Sequence, residues 1–515
     1  MINSHKFKKI NHRSYLGIMM MIYIFFYLLG LREINGPYFF IIHLFSLYTI
    51  YINFRKKTIK TSLIIFLKFL NEFKYFIFLF SLSVLMIFFI IKYVSLKYNT
   101  WDVGFFANIT SNLANNFTFY SDIFGINSLG EHFHPVLILI SPLFHLYNSF
   151  IWFPVLHFTS YFLTLILLIK YSYIVYNSKT DLRSCVVPLM FLFNYYYFKT
   201  LDYEIQIEQL SHPFIVLIFL FIEKDQKLKM FFFLSFILLF KENQAIVWVS
   251  VGFYYIFFKK RYSIGLIIVI FGIIFGLLTQ LVLIPYFNPN DISNHAGRFG
   301  PLVNIQEKII FIYEGLKNIS FLPLFSISLL PAYFSSYSLT FAAKELFSWN
   351  FHYQGLPLII TFILLNHLIK KITELKLNYY LKYSLILFLI IFYLNKNNSL
   401  ALDHIYDMLP TDNALNTHKE IQALKHNLSN YSGILYADER LGPYFASHNL
   451  RSLDQWSGYQ QILNEKQPHY VLMTKKPVSE LPNKKYTKYL RYFISSENRY
   501  SLNKDFKYIY FFKSD

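Results

Sequence analysis

The sequence predicts a mainly α polytopic membrane bundle, with about 11 to 13 transmembrane helices and a small C-terminal α/β soluble domain. Three observations carry this. The 515-residue chain is 55% hydrophobic and only 15% charged, too apolar for a soluble enzyme of its length. Its apolar residues come in long blocks, and Lys and Arg cluster beside those blocks. Beyond residue 395 the composition turns to mixed polar and apolar patterning.

Hydropathy places spans at 14–31, 37–54, 74–92, 149–169, 184–198, 212–223, 230–258, 263–284, 354–369 and 378–394. Lys6, Lys8, Lys9 and Arg13 precede the first, but no small-residue cleavage site follows, so it reads as a retained anchor. Basic clusters at Arg55-Lys56-Lys57, 224–229, Lys259-Lys260-Arg261 and Lys370-Lys371 mark the cytoplasmic side. The formal charge of +19 is therefore a topology signal and not a nucleic-acid footprint. Residues 93–148 and 285–321 become outer loops of a membrane domain over 1–394. The sole cysteine, Cys185, excludes an intramolecular disulfide and a cysteine metal site.

The run 230–258 must leave the cytoplasm and return, with Lys241-Glu242-Asn243 at its turn. An outgoing arm of about 11 residues rises only about 16 Å against a hydrocarbon core of about 30 Å. Lys241 and Glu242 should then line a hydrated cavity within the membrane depth, or else cap a tilted helix pair at the outer surface. The stretch 321–347 is interrupted by Pro323 and Pro331 and carries Lys344-Glu345; an even number of crossings or a re-entrant path there leaves 395–515 outside the cytoplasm, and a single crossing flips everything after it. In that region 413–428 reads as an amphipathic helix, 433–438, 469–474 and 507–512 as strands, and 484–493 as helical.

Chemically suggestive side chains fall in the outer segments. Asp102 follows a hydrophobic run in Tyr98-Asn-Thr-Trp-Asp-Val-Gly-Phe105, where a membrane enzyme would hold a base. The same loop offers Asp122 and then Leu129-Gly-Glu-His-Phe-His-Pro135. His132 and His134 share a face if the segment is extended, which Pro135 favours. Asp102, Glu131, His132 and His134 are thus candidate donors for a divalent metal ion, although a His-x-His pair is more often structural. Asp202, Glu204, Gln206, Glu208 and His212 follow the fifth span, and such acidic loops are usually only solvated. Arg298, Lys308 and Lys317 can bind phosphate or merely charge a surface. His43, His145 and His157 sit in apolar or interfacial stretches, where packing is the commoner role.

The order Trp101-Asp-Val-Gly104, Leu129-Gly-Glu-His-Phe-His-Pro135 with Ser141-Pro-Leu143, Phe240-Lys-Glu242, Lys259-Lys-Arg261 and Ile284-Pro-Tyr-Phe-Asn288 resembles the domain of unknown function 2079 family of predicted bacterial membrane proteins. The similarity runs from about Tyr98 to His352, with Phe351-His-Tyr353 a further matching element, and more loosely into the C-terminal domain. The resemblance implies a relation to the GT-C glycosyltransferases, integral membrane enzymes that use polyprenyl-phosphate-linked sugars and carry an acid in the first large outer loop. Asp102 matches that acid. It implies a multi-pass protein of the bacterial inner membrane, active on its extracytoplasmic side. A sugar would pass from the lipid donor to a glycan, lipid or protein acceptor. Glu131, His132, His134, Glu208, Lys241, Glu242, Arg298, His352 and Tyr353 are the candidate substrate contacts. Where the family pattern has acidic-x-His-x-Glu, this chain has Glu204-Ile-Gln206-Ile-Glu208, and Gln206 cannot serve as a base. A transporter or flippase for a lipid-linked or small polar substrate, or a non-catalytic scaffold, is the rival reading.

Overall fold

A computed structural model describes residues 86–178, 182–192, 205–288, 326–338, 355–374, 411–429, 431–453, 469–474, 500–503 and 506–514, with isolated positions between them. The expected spans at 14–31, 37–54 and 378–394, the segment 339–354 and the helical pattern at 484–493 (Phe493 apart) lie outside the described residues.

Three helices among the described residues are long and apolar enough to cross a membrane: Trp152–Tyr176, Tyr262–Phe287 and Gly355–Glu374. In chain order the longer helices are α1 (Phe105–Asn116), α2 (Leu137–Leu146), α3 (Trp152–Tyr176), α4 (Val186–Leu192), α5 (His212–Glu223), α6 (Lys227–Ile237), α7 (Ala245–Phe253), α8 (Tyr262–Leu278), α9 (Leu330–Ser335), α10 (Gly355–Glu374) and α11 (Asp412–Asn427). A π-turn at Thr279–Leu283 and a last turn at Ile284–Phe287 extend α8 into its 26-residue span. At about 1.5 Å per residue that helix is about 39 Å long, enough to cross the hydrocarbon core.

Among the described residues, the basic clusters at 224–229, 259–261 and 370–371 gather at one end of the bundle. Lys259 pairs with Glu223 at 2.8 Å and Arg261 with Asp225 at 2.6 Å, while the Lys371 ammonium lies 5.3 Å from the Phe258 ring. His367 joins the same group: Tyr171 Oη is 2.7 Å and Tyr254 Oη 3.0 Å from its Nε2, and Tyr254 donates to Glu223 at 2.7 Å. α8 leaves this end and finishes at Asn288, whose amide donates to the Gly130 carbonyl at 3.4 Å. The loop before α2 therefore sits at the far end of the bundle.

α8 touches the rest of the bundle through glycine. A Cβ on Gly252 of α7 would lie 2.5 Å from Val269, and one on Gly265 or Gly272 of α8 would lie 2.6 Å from Ile256 or 2.7 Å from Trp248. Small residues let the two backbones approach closely, which is how helices gain packing energy where lipid removes the hydrophobic drive. The remaining faces of α8 expose Leu266, Ile267, Ile270, Phe271 and Ile274, as a lipid-facing helix requires. Gly252→Val should overpack this seam and cost about 1–3 kcal/mol, read as a lower thermal midpoint of the detergent-solubilised protein.

The run 230–258 is two helices separated by a turn at 238–244, not one span. Lys241 and Asn243 in that turn are buried in protein.

The C-terminal region forms a mixed five-stranded sheet in the order β4-β3-β5-β7-β6, where β3 is Ile434–Ala437, β4 Asn449–Ser452, β5 His469–Thr474, β6 Tyr500–Asn503 and β7 Ile509–Ser514. β3 runs parallel to β4 and β5, and β7 is antiparallel to β5 and β6. A two-residue hairpin, β1 (Tyr120–Ser121) with β2 (Ile126–Asn127), turns through Gly125 at φ +68°. α11 starts at Thr411, whose hydroxyl accepts from the Ala414 N–H at 3.2 Å. One apolar core joins both parts: Leu96, Val103 and Phe106 pack with Ile421, Leu441 and Phe445.

Candidate functional site

Asp102 lies in a π-turn, Thr100–Gly104, directly before α1. Asn99 caps the turn: its side-chain oxygen accepts the Asp102 N–H at 2.9 Å, and its carbonyl accepts the Gly104 N–H at 3.1 Å. This holds the carboxylate near the positive end of α1. Gln206, just before the 3-10 turn Ile207–Ser211, donates its amide to Asp102 Oδ1 at 2.7 Å. Burial raises the Asp102 carboxyl above its ordinary range, against the opposing pull of Gln206, Lys241, Asn99 and His132.

A Lys–Glu ion pair and a His–Glu pair stand beside it. Lys241 Nζ meets Glu208 Oε2 at 3.0 Å, and the Asn243 amide donates to the same oxygen at 2.6 Å. His132 Nδ1 meets Glu242 Oε1 at 2.8 Å, and Glu242 Oε2 accepts the Phe133 N–H at 3.0 Å. The backbone explains how two distant segments supply these groups. Val136 N–H donates to the Leu239 carbonyl at 2.9 Å, laying 132–136 along the 238–242 turn, and Phe133 packs on Phe275 of α8. Gly130 allows no side chain, since a Cβ there would lie 2.5 Å from Asn288.

The sequence-derived residues thus divide into three groups. Asp102, His132, Glu208, Lys241 and Glu242 come together, with Lys241 and His132 close enough to Asp102 to act on its charge. Glu131 flanks them at the end of the 3-10 turn Ser128–Gly130, and its charge reaches His134. His134 lies beside them, its ring centroid 6.5 Å from that of His132 and edge-on to Phe105 and Phe106; burial there lowers its imidazole to about 3, so it stays neutral. Arg298, Lys317, His352, Tyr353, Asp202 and Glu204 lie outside the described residues. Among the described residues no group of three or more His, Cys, Asp or Glu side chains is placed to hold a metal ion. Asp122 binds Asn108 and Asn112 at 3.1 and 2.8 Å, a structural tie between α1 and the β1–β2 hairpin.

Asn99, Gln206 and Asn243 touch the site directly, and residue chemistry alone did not single them out as contacts. Asn three residues before Asp102 is a capping signal that sequence inspection can find. Gln206 showed only as a departure from a pattern, yet it is the side chain that holds the carboxylate.

What the arrangement offers is a partly buried carboxylate fixed at one oxygen, with the Lys241–Glu208 ion pair and the His132–Glu242 pair next to it. Two solved structures share this fold: ArnT from Cupriavidus metallidurans bound to undecaprenyl phosphate, at 9% identity, and the same protein in the apo state, at 11%. Each match covers 84% of this chain and 97% of that one, with a TM-score of 0.50. No curated protein matches the chain by sequence. The family model described as predicted membrane protein DUF2079 matches residues 92–406, which is most of the chain and includes every group at the site: the protein belongs to the DUF2079 family of membrane proteins.

Proposed function

We propose that the protein is an integral membrane glycosyltransferase of the GT-C type. It moves a sugar from a polyprenyl-phosphate donor to a glycan, lipid or protein acceptor on the extracytoplasmic side of the inner membrane, and Asp102 is the general base. The observation that carries this reading is the Asp102 carboxylate, raised by burial and oriented by Gln206 at 2.7 Å beside Lys241, in a fold shared with a protein that binds undecaprenyl phosphate.

The chemistry follows from the charges. Asp102 accepts the proton of the acceptor hydroxyl as its oxygen attacks the anomeric carbon, the bond from that carbon to the phosphate oxygen breaks, and polyprenyl phosphate leaves with the electron pair. Developing negative charge on the phosphate faces Lys241, whose field is strong in a partly dry site. Glu208 and Glu242 hold Lys241 and His132 in place.

The test is transfer from a polyprenyl-phosphate sugar by the reconstituted protein, with its pH dependence. The base must be ionised, so the rate rises with pH through the Asp102 titration. Gln206 stabilises the ionised form, so Gln206→Ala should move that acid limb to higher pH in a kcat/KM profile. An unmoved limb would disconnect Gln206 from the reacting group.

A further inference from the structure

The turn that carries Asp102 is gripped from behind by the C-terminal domain. Thr100 is fully buried, and both its N–H and its hydroxyl donate to the Glu439 carbonyl, at 2.9 and 2.8 Å. On either side of that contact, the Arg440 guanidinium donates to the Lys97 carbonyl at 2.9 Å and the Tyr444 hydroxyl to the Tyr93 carbonyl. The fit is close: a Cβ on Gly442 would lie 2.0 Å from Thr100 Oγ1, and Pro443 lies against Gly104.

The gripping corner is itself rigid. Asp438, at the end of β3, accepts the Arg440 and Leu441 N–H groups at 3.1 and 2.9 Å through one oxygen. Its other oxygen accepts the Thr474 N–H and hydroxyl at 2.7 and 2.9 Å, tying the corner to the end of β5. Gly442 N–H closes the turn on the Asp438 carbonyl at 3.1 Å. A buried carboxylate with four hydrogen bonds leaves little freedom to the backbone it organises.

We infer that the 438–443 corner of the C-terminal domain is a positioning element for Asp102, acting through Thr100. Thr100 and Asp102 share one five-residue turn, so the turn whose carboxylate Gln206 holds on one side is itself held through Thr100 by Glu439 and Gly442 on the other. The sheet of the C-terminal domain becomes part of the site's geometry without touching the substrate. The catalytic consequence rests on the sugar-transfer reading above; the mechanical one does not.

Two readouts separate them. The first is kcat and donor KM for transfer by the full-length protein in liposomes. The second, independent of activity, is carbodiimide labelling of Asp102 with an amine, followed by peptide mass spectrometry across pH. Thr100→Val removes the hydroxyl and keeps the fold, Thr100→Ser restores it, and Gly442→Val drives a side chain into Thr100. The expected results are a fall in kcat of about tenfold for Thr100→Val with donor KM unchanged, faster Asp102 labelling in both Thr100→Val and Gly442→Val, and wild-type behaviour in Thr100→Ser. If the wild type transfers no sugar but Thr100→Val alters labelling, positioning stands and the proposed chemistry falls. Wild-type labelling in Thr100→Val and in folded Gly442→Val overturns the inference, whatever the activity.

Discussion

Asp102→Asn is expected to slow sugar transfer by about a hundredfold to ten-thousandfold, the range for loss of a positioned general base, while the protein still folds. The reason lies in what the substitution keeps. An Asn carbonyl oxygen can still accept the Gln206 amide, which stands 2.7 Å from Asp102 Oδ1, and the backbone N–H bonded to Asn99 is untouched. What disappears is the ability to take a proton. Burial already disfavours the charged carboxylate, so a neutral amide imposes no desolvation cost on the fold. Transfer measured beside the thermal midpoint checks both halves. Full transfer by a folded Asp102→Asn protein would remove the base from the mechanism.

Lys241→Met should have the largest effect on stability. Lys241 and Glu208 are both buried, at 6% and 3% exposure, and meet at 3.0 Å. An exposed ion pair contributes about 0–1 kcal/mol, but removing one partner of a buried pair strands the other charge and costs about 3–5 kcal/mol. In Lys241→Met the Glu208 carboxylate retains Asn243 at 2.6 Å and loses its countercharge. The expected outcome is a sharply lower thermal midpoint and poor yield. Adding Glu208→Gln removes the stranded charge and should recover most of the loss. A single substitution that leaves the midpoint unchanged would place the pair in open water. The double variant should stay inactive, because the cation facing the leaving phosphate is gone.

How much of this was legible depended on sequence distance. The helix expected at 413–428 is Asp412–Asn427, because an amphipathic repeat and a Thr cap are local signals. The strands expected at 433–438, 469–474 and 507–512 appear at Ile434–Ala437, His469–Thr474 and Ile509–Ser514, each with apolar residues enough to be read alone. The two strands of this sheet that were not anticipated, Asn449–Ser452 and Tyr500–Asn503, are its edges. Edge strands are short and polar, so their alternation is weak. The charged turn at 241–243 was visible because a basic cluster on either side forces the chain to reverse within the membrane depth.

The site was legible as a set of candidates and not as a set of contacts. Asp102 stood out by following a hydrophobic run, and the 129–135 loop by its density of ionisable groups. Gln206 lies 104 residues from Asp102, and Glu439 lies 339 from Thr100. Nothing in local patterning joins such positions; only packing of the C-terminal sheet against the turn, and of the 132–136 segment against 238–242, brings them together.

The most direct test places the purified wild-type protein in single-bilayer nanodiscs with a panel of labelled polyprenyl-phosphate sugars and a crude envelope acceptor fraction. A nanodisc has no interior, so movement across the bilayer leaves no product. The expected result is loss of sugar from the lipid and appearance of free polyprenyl phosphate with the wild type, and neither with Asp102→Asn. Sugar lipids left intact by wild-type protein across the whole panel, or consumed equally by the Asp102→Asn variant, would contradict a sugar transfer that runs through this carboxylate.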